Sequence, residues 1–243
     1  MGTAADLFDV AGRTTIRSAD GAFFHLGGPL EASKPLDSRI SQELRERRVA
    51  DGRPVLGRES IGIVASAQVA SGLLRSLGDA GIAAAVVKDA GDSESPGLLL
   101  HIAGSPAERS HYDGLPCGGT AVLRCYREGD LVFIDPLSMS GQDPTSSQVL
   151  RRRLAASPAA TELKAWLDTP AASMDLDLQA TTLGLVTARL LTIIRAWQRN
   201  SPVLPALRRT LWRLDSGTFA VSEHPVLPFP EPAKLDENWP ATR

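Results

Sequence analysis

The sequence predicts an α/β fold with a mixed sheet, preceded by a short N-terminal hairpin and helix. Three observations predict it. Between Glu59 and Gly78 a short apolar run, Ile61, Ile63 and Val64, gives way to Val69, Gly72, Leu73 and Leu77 at helical spacing. Further apolar runs at Ile82–Val87 and Leu98–Ile102 follow, as strands do when helices cross between parallel neighbours. Two later hairpin patterns, turning at Glu128–Asp130 and Asp215–Gly217, add antiparallel strands.

Taken in order, residues 7–30 read as strands joined by turns. Thr14–Ser18 and Ala22–Leu26 flank Asp20-Gly21, a hairpin signature. Asp37 to Val49 reads as a helix capped by Asp37 or Ser38, with Ile40 and Leu44 inward. Asp51-Gly-Arg-Pro54 breaks the pattern. It separates an N-terminal element, residues 1–52, from a main domain, 53–232, and an extended tail, 233–243. The main domain opens with the strand, turn and helix at 59–78 and a second buried strand at 82–87. Leu98–Ile102 is a third strand, and Gly104 to Gly119 a long loop. Thr120–Tyr126 pairs with Leu131–Asp135. Helices are expected over 146–154, 158–167 and 176–197, the last capped by Asp175, with Leu183, Val186, Leu190, Ile194 and Trp197 as its inward stripe. A closing hairpin spans 207–221. From Glu223 the chain holds five prolines and no periodicity, so it should lie extended on the surface.

Composition excludes several function classes. The formal net charge is −2, so no global field draws the chain to nucleic acid or a membrane. Charge is uneven, however: residues 151–213 hold ten Lys/Arg against four Asp/Glu, which reads as a solvated helix face or a docking surface. No stretch approaches the ~20 apolar residues of a membrane span. Two cysteines without a secretion signal point to a reducing cytoplasm.

The turn of the first unit is the informative one. A Rossmann-like unit that binds a nucleotide carries G-x-G-x-x-G, because bare backbone must approach the pyrophosphate at a helix N-terminus. Here only Gly62 stands in register, and Ala65, Ala67 and Ala70 surround the turn. A Rossmann-like frame with a degraded phosphate site is the reading. Asp89, just past the second strand, is where a ribose-binding acid would sit, with Asp79 less well placed. Ser66 lacks the flanking glycines of a nucleophile elbow. His25, His101, His111 and His224 match no ligand spacing. Cys117 and Cys125 are too few for a zinc site by themselves, and Cys125 reads as a buried strand residue. Arg151-Arg152-Arg153 could clamp a phosphate or an acidic peptide, or be a solvated run. Trp166, Trp197 and Trp212 read as core or interface.

The order of parts carries a resemblance. A Rossmann-like opening, a strand pair ending in Asp135-Pro136-Leu137, a Pro-containing loop, a long apolar helix, a closing hairpin and His224-Pro225 resemble the ThiF-like (ubiquitin-activating-enzyme-like) proteins. The nearest likeness is to members that work beside YcaO-type cyclodehydratases, which form azolines on ribosomal peptides. The resemblance spans roughly residues 53–232. It implies a partner that binds the precursor's leader peptide through a small winged-helix-like domain. It also implies two Cys-x-x-Cys pairs holding a structural zinc, at places that here read Asp143-Pro-Thr-Ser-Ser-Gln148 and His224-Pro-Val-Leu-Pro-Phe229. Thr145, Gln148, Val226 and Phe229 stand there instead, so no metal and no cofactor is expected.

The resulting expectation is a scaffold without catalytic residues, presenting a leader peptide to a YcaO-type cyclodehydratase. The alternative is a nucleotide-dependent Rossmann enzyme, an oxidoreductase, with an atypical phosphate turn. The expected peptide contacts are Phe23 at the free edge of the first hairpin and Arg39, Arg45 and Arg48 for acidic leader residues. Leu185, Leu191 and Ile193, outside the inward stripe of the long helix, must be covered either by an interface, including a homodimer, or by this domain's own core.

Overall fold

The computed structural model describes residues 6–11, 13–17, 23–25, 54–88 and 96–229. The chain divides into two units, 1–53 and 54–243. The first contains a three-stranded antiparallel meander of β1 (Asp6–Val10), β2 (Arg13–Arg17) and β3 (Phe23–His25), in that order across the sheet. The expected hairpin is there, with Ile16 opposite Phe24 and Arg17 opposite Phe23. One further strand precedes it. The helix expected at 37–49 lies outside the described residues.

The second unit is built on a seven-stranded mixed sheet. β4 (Ile61–Val64) leads into α1 (Ala67–Asp79), then β5 (Ala84–Val86) and β6 (Leu98–Ala103). β7 (Ala121–Glu128) and β8 (Leu131–Ile134) form the predicted hairpin. Then come α2 (Ser146–Ala156), α3 (Ala160–Leu167), α4 (Ala180–Gln198) and a single turn, α5 (Leu204–Leu207). β9 (Thr210–Asp215) and β10 (Val221–Pro225) form this unit's second hairpin. The spatial order is β10-β9-β8-β7-β6-β4-β5. β5, β4, β6 and β7 are parallel, and β7 to β10 antiparallel.

The period of two along the strands sorts side chains between two cores. Ile61, Ile63, Leu98, Leu100, Leu123, Cys125, Ile134, Trp212 and Leu214 turn to one face, where α1 and α4 cover them. α1 contributes Val69, Ala70, Leu73 and Leu77, and α4 contributes Val186, Leu190, Ile194 and Trp197. Tyr126, Phe133, Leu211, Val149 and Val226 form a smaller core on the opposite face. At ~25 cal/mol per Å² the larger cluster supplies most of the burial energy.

The structure corrects three expectations and decides between two readings of α4. β5 is not a buried strand: it is the sheet's last strand, and Ala85 and Val86 are exposed. A run of small apolar residues looks the same from sequence whether one face is covered or two. α4 begins at Ala180 rather than Leu176, with Gln179 as N-cap. Among the described residues Asp175 accepts a hydrogen bond only from its neighbour Leu176, at 3.2 Å, while Leu176 runs into the core without helical structure. Of the three residues outside the α4 stripe, Ile193 is buried and Leu191 packs on the core; Leu185 alone is exposed. Finally, the chain beyond Glu223 is not all surface: it continues β10, and Val226 is 1% exposed.

Candidate functional site

The turn after β4 retains the frame of a phosphate site without its bare backbone. Gly62 lies in the strand rather than the turn. A Cβ on it would stand 2.8 Å from Pro96 Cγ and 3.1 Å from Val87 Cγ2, so its missing side chain makes room for those residues. Ala65, Ser66 and Ala67 carry side chains where the nucleotide pattern has glycine. Ser66 is the N-cap of α1 but makes no capping bond, and its buried hydroxyl has no partner among the described residues. Asp79 is exposed at the end of α1, away from the turn, and Asp89 lies outside the described residues.

The chemically dense region is the opposite face of the sheet, at β7. Its alternate residues Arg124, Tyr126 and Glu128 are all buried there. Glu128 Oε1 accepts from Arg109 Nη1 at 2.6 Å and from Arg153 Nη1 at 2.9 Å, and Oε2 accepts from Arg153 Nη2. Burial alone would raise the Glu128 carboxyl, but Arg153 and then Arg109 outweigh it and hold the group below the usual carboxylate range. The Arg109 guanidinium lies 3.8 Å from the Tyr126 ring centroid, and that of Arg153 4.1 Å from Phe133. Beside this, Arg124 bridges Asp135 at 3.1 Å and Asp113 at 2.9 Å, and Asp113 accepts from the Ser146 hydroxyl at 2.6 Å. Burial pushes the Asp135 carboxyl upward, only partly offset by Arg124.

These groups order loops rather than present a reacting atom. The Gly104–Gly119 stretch folds into two short 3-10 turns, Ala107–Ser110 and Leu115–Gly118, and Arg109 and Asp113 tie it down. The next loop is held by Asp143, which accepts from the Met139 amide at 2.8 Å and from Arg208 Nε at 2.9 Å. Sequence reasoning passed over Arg109, Asp113, Arg124 and Glu128. The available signal was a polar or charged side chain at every second place of a strand, Arg124, Tyr126 and Glu128, with Leu123 and Cys125 on the other face.

The two segments where the resemblance implies cysteine pairs do meet. Thr145 caps α2 in a capping box with Gln148, whose Nε2 donates to the Phe229 carbonyl at 2.6 Å. Val226 is buried and its amide donates to Arg209 O at 2.7 Å. Hydrogen bonds and an apolar plug thus join segments 81 residues apart. Thr145, Gln148, Val226 and Phe229 offer no thiolate, so the residues present do not fit a structural zinc. Among the described residues no three His, Cys, Asp or Glu are placed to hold a metal ion.

The remaining predicted residues are dispersed. Phe23 lies on β3, while Arg39, Arg45 and Arg48 lie outside the described residues. His101 is buried on β6 and edge-on to Tyr112 at 4.8 Å; burial first, then Arg124 and His111, pull its pKa down to about 3. His111 is exposed, and His224 Nε2 shares a hydrogen bond with the Ser222 hydroxyl at 3.0 Å. Cys117 is exposed; Cys125 is buried, and burial, then Asp135, push its thiol up. Trp197 and Trp212 are core residues, and Trp166 is half-buried. The basic stretch is not one solvated face. Arg153, Arg189 and Arg208 are ion-paired, to Glu128, Glu223 and Asp143. Arg151 lies over the Phe229 ring at 5.3 Å.

A cavity of about 410 Å³ opens between the β8–β10 rim and the α2–α3 hairpin. Its walls are Phe133, Leu211, Leu163 and Val226, with Arg152, Arg213 and His224 among its polar groups.

No protein-family model and no curated protein matches the chain. Solved structures do. A heterocyclase in complex with substrate and cofactor superposes over 93% of this chain with TM-score 0.61 and 13% identity, and 37% of that chain is covered. A chain of the E. coli microcin synthetase McbBCD complex matches over 93% of this chain and 97% of its own length, with TM-score 0.54 and 14% identity. The same complex with pro-MccB17 bound gives 93% and 96%, with TM-score 0.56 and 11% identity. This chain therefore spans under two fifths of the heterocyclase but nearly all of the synthetase chain. The likenesses establish the fold, and it is the fold that the order of parts implied.

Proposed function

We propose that this chain is the partner subunit of a YcaO-type cyclodehydratase, holding a ribosomal precursor peptide while the partner forms azoline rings on it. One observation carries the reading: the two-way coverage of a microcin synthetase chain, 93% of this chain on 97% of that one. Both chains are accounted for almost end to end, and the same fold recurs in a complex with pro-MccB17 bound. The interior supports a role in binding. The buried charges at β7 are spent on each other and on loops, and the turn after β4 carries side chains where a nucleotide needs backbone. The nucleotide-dependent alternative finds no supporting feature there. Among the described residues no helix is long and apolar enough to cross a membrane.

The leader peptide is assigned to the N-terminal unit. β3 has a described neighbour on one side only, so an extended peptide can continue the sheet along it, with Phe23 as an anchor and Arg39, Arg45 and Arg48 for acidic residues. A homodimer through α4 would rest on Leu185, since Leu191 and Ile193 serve this chain's own core.

The test is calorimetric titration with the leader segment of the precursor. Wild-type protein should bind it, and Phe23→Ala should weaken binding by about 1–2 kcal/mol with an unchanged melting curve. No binding by the wild-type chain removes the peptide-holding role. Equal binding by the variant moves the contact away from Phe23.

A further inference from the structure

We propose that the cavity beside β10 is a subsite for an acidic side chain of an extended peptide paired along β10. The inference rests on the peptide-holding reading but uses residues of the second unit only.

β10 ends the sheet, and no described strand pairs with its outer side. Which of its groups face outward follows from the ladder. Asp215 N donates to Ala220 O at 2.9 Å and Val226 N to Arg209 O at 2.7 Å, so residues 220 and 226 turn their backbone toward β9. Antiparallel pairing alternates, so the even positions between them do the same. Val221, Glu223 and Pro225 are left pointing outward. Pro225 thereby forgoes only a donor that β9 never used, the place where a strand tolerates proline. Val221 and Glu223 keep outward N–H groups, and all three keep carbonyls. This edge can accept a partner strand.

The cavity supplies the specificity. On the face that carries Leu211 and Arg213, β10 presents Ser222 and His224, so a strand added outside it sets every second side chain on that same face. Neighbouring strands lie ~4.8 Å apart, within reach of a Glu side chain. The cavity is of ligand-binding size. Its apolar walls would take the methylenes, and its charge favours a carboxylate. Glu128, in the wall, is already shared by Arg109 and Arg153. Arg213 makes no described ion pair with Glu128; its acidic neighbour is Asp215, two places along the same strand. Arg213 Nε is buried with no hydrogen-bond partner among the described residues, a donor left unpaired at a free-energy cost. Arg152 adds a second cation at the exposed rim. An entering carboxylate would pair with the Arg213 guanidinium, which lines the cavity, through a charge-assisted bond.

The probes are acetyl-Val-Glu-Val-Glu-Val-amide and its Gln counterpart, titrated calorimetrically into the full chain at low salt. The Glu peptide should bind about ten-fold tighter, which is about 1.4 kcal/mol. Arg213→Gln should reduce that preference to under about three-fold, with Arg213→Lys intermediate. Glu223→Pro, which removes an outward N–H and no bond to β9, should weaken both peptides beyond Glu223→Gln, which removes only the ion pair with Arg189. Melting curves show that each variant is folded. Equal affinity for the two peptides, or a preference that survives Arg213→Gln, overturns the subsite. Tight binding of free N-acetylglutamate without any gain from the pentapeptide overturns the strand pairing. Either failure leaves leader binding through the N-terminal unit intact, and loss of that binding leaves this preference unaffected.

Discussion

Replacing Glu128 by glutamine should cost about 3–5 kcal/mol of stability, the scale for breaking a buried ion pair by removing one partner. Glu128 is 7% exposed and faces two arginines that are themselves largely buried. The amide would turn donors toward a guanidinium that needs acceptors, and two cations would lose the one carboxylate they are described as pairing with directly. That is a large share of the 5–15 kcal/mol that holds a typical domain together. Urea unfolding should show a lowered midpoint with an unchanged slope. Replacing Arg109, Glu128 and Arg153 together by Met, Leu and Met should be far milder, because no charge is stranded. A loss below about 1 kcal/mol in Glu128→Gln would mean that the cluster is hydrated in solution.

Acidification should destabilise the protein well before its carboxylates titrate. His101 has its pKa held near 3 in the fold against 6.5 for the free group. A group with a depressed folded pKa contributes stability that is present above its unfolded pKa and lost as pH falls toward the folded one. For His101 the window runs from about pH 6.5 to about 3, with a limiting slope of ~1.4 kcal/mol per pH unit. Between pH 6.5 and 4.5 the limit is therefore ~2–3 kcal/mol. Glu128 acts in the same direction, but only below its own unfolded value of 4.5. Asp135, with its pKa raised, acts in the opposite direction. Asp135 therefore offsets part of the loss, and the loss that remains above pH 4.5 belongs to His101. Urea unfolding at pH 7 and pH 4.5 should show a steep loss for wild type and a shallow one for His101→Gln. Equal losses would contradict the assignment.

Much of the fold was legible because its signals are local. The apolar run Leu98–Ile102, the Glu128-Gly129-Asp130 turn and the spacing of Val186, Leu190, Ile194 and Trp197 each fix an element without reference to the rest of the chain. The failures were of another kind. Whether Ala84–Val86 is covered on both faces depends on its place at the end of the sheet, which its own residues do not encode. Leu176 and Leu178 stand two apart, the interval of an extended chain rather than a helix, and they serve the core from a non-helical segment; the Asp175 cap signal drew the helix start too early. The site was less legible still. Arg109, Asp113, Arg124, Glu128 and Arg153 come from three separate stretches, and only the alternation on β7 hinted that charges were buried. The absent cysteines at 143–148 and 224–229 were plain to see. The Gln148–Phe229 bond that joins those segments was not, since a glutamine and a backbone carbonyl carry no motif.

The most direct measurement of the central claim is reconstitution. The precursor peptide, a YcaO-type cyclodehydratase and ATP would be incubated with and without this chain, and the peptide's mass followed. The account predicts loss of one water per ring only, or far faster, when this chain is present, and none when this chain and ATP act without the cyclodehydratase. Equal water loss with and without this chain, at limiting peptide concentration, would contradict it.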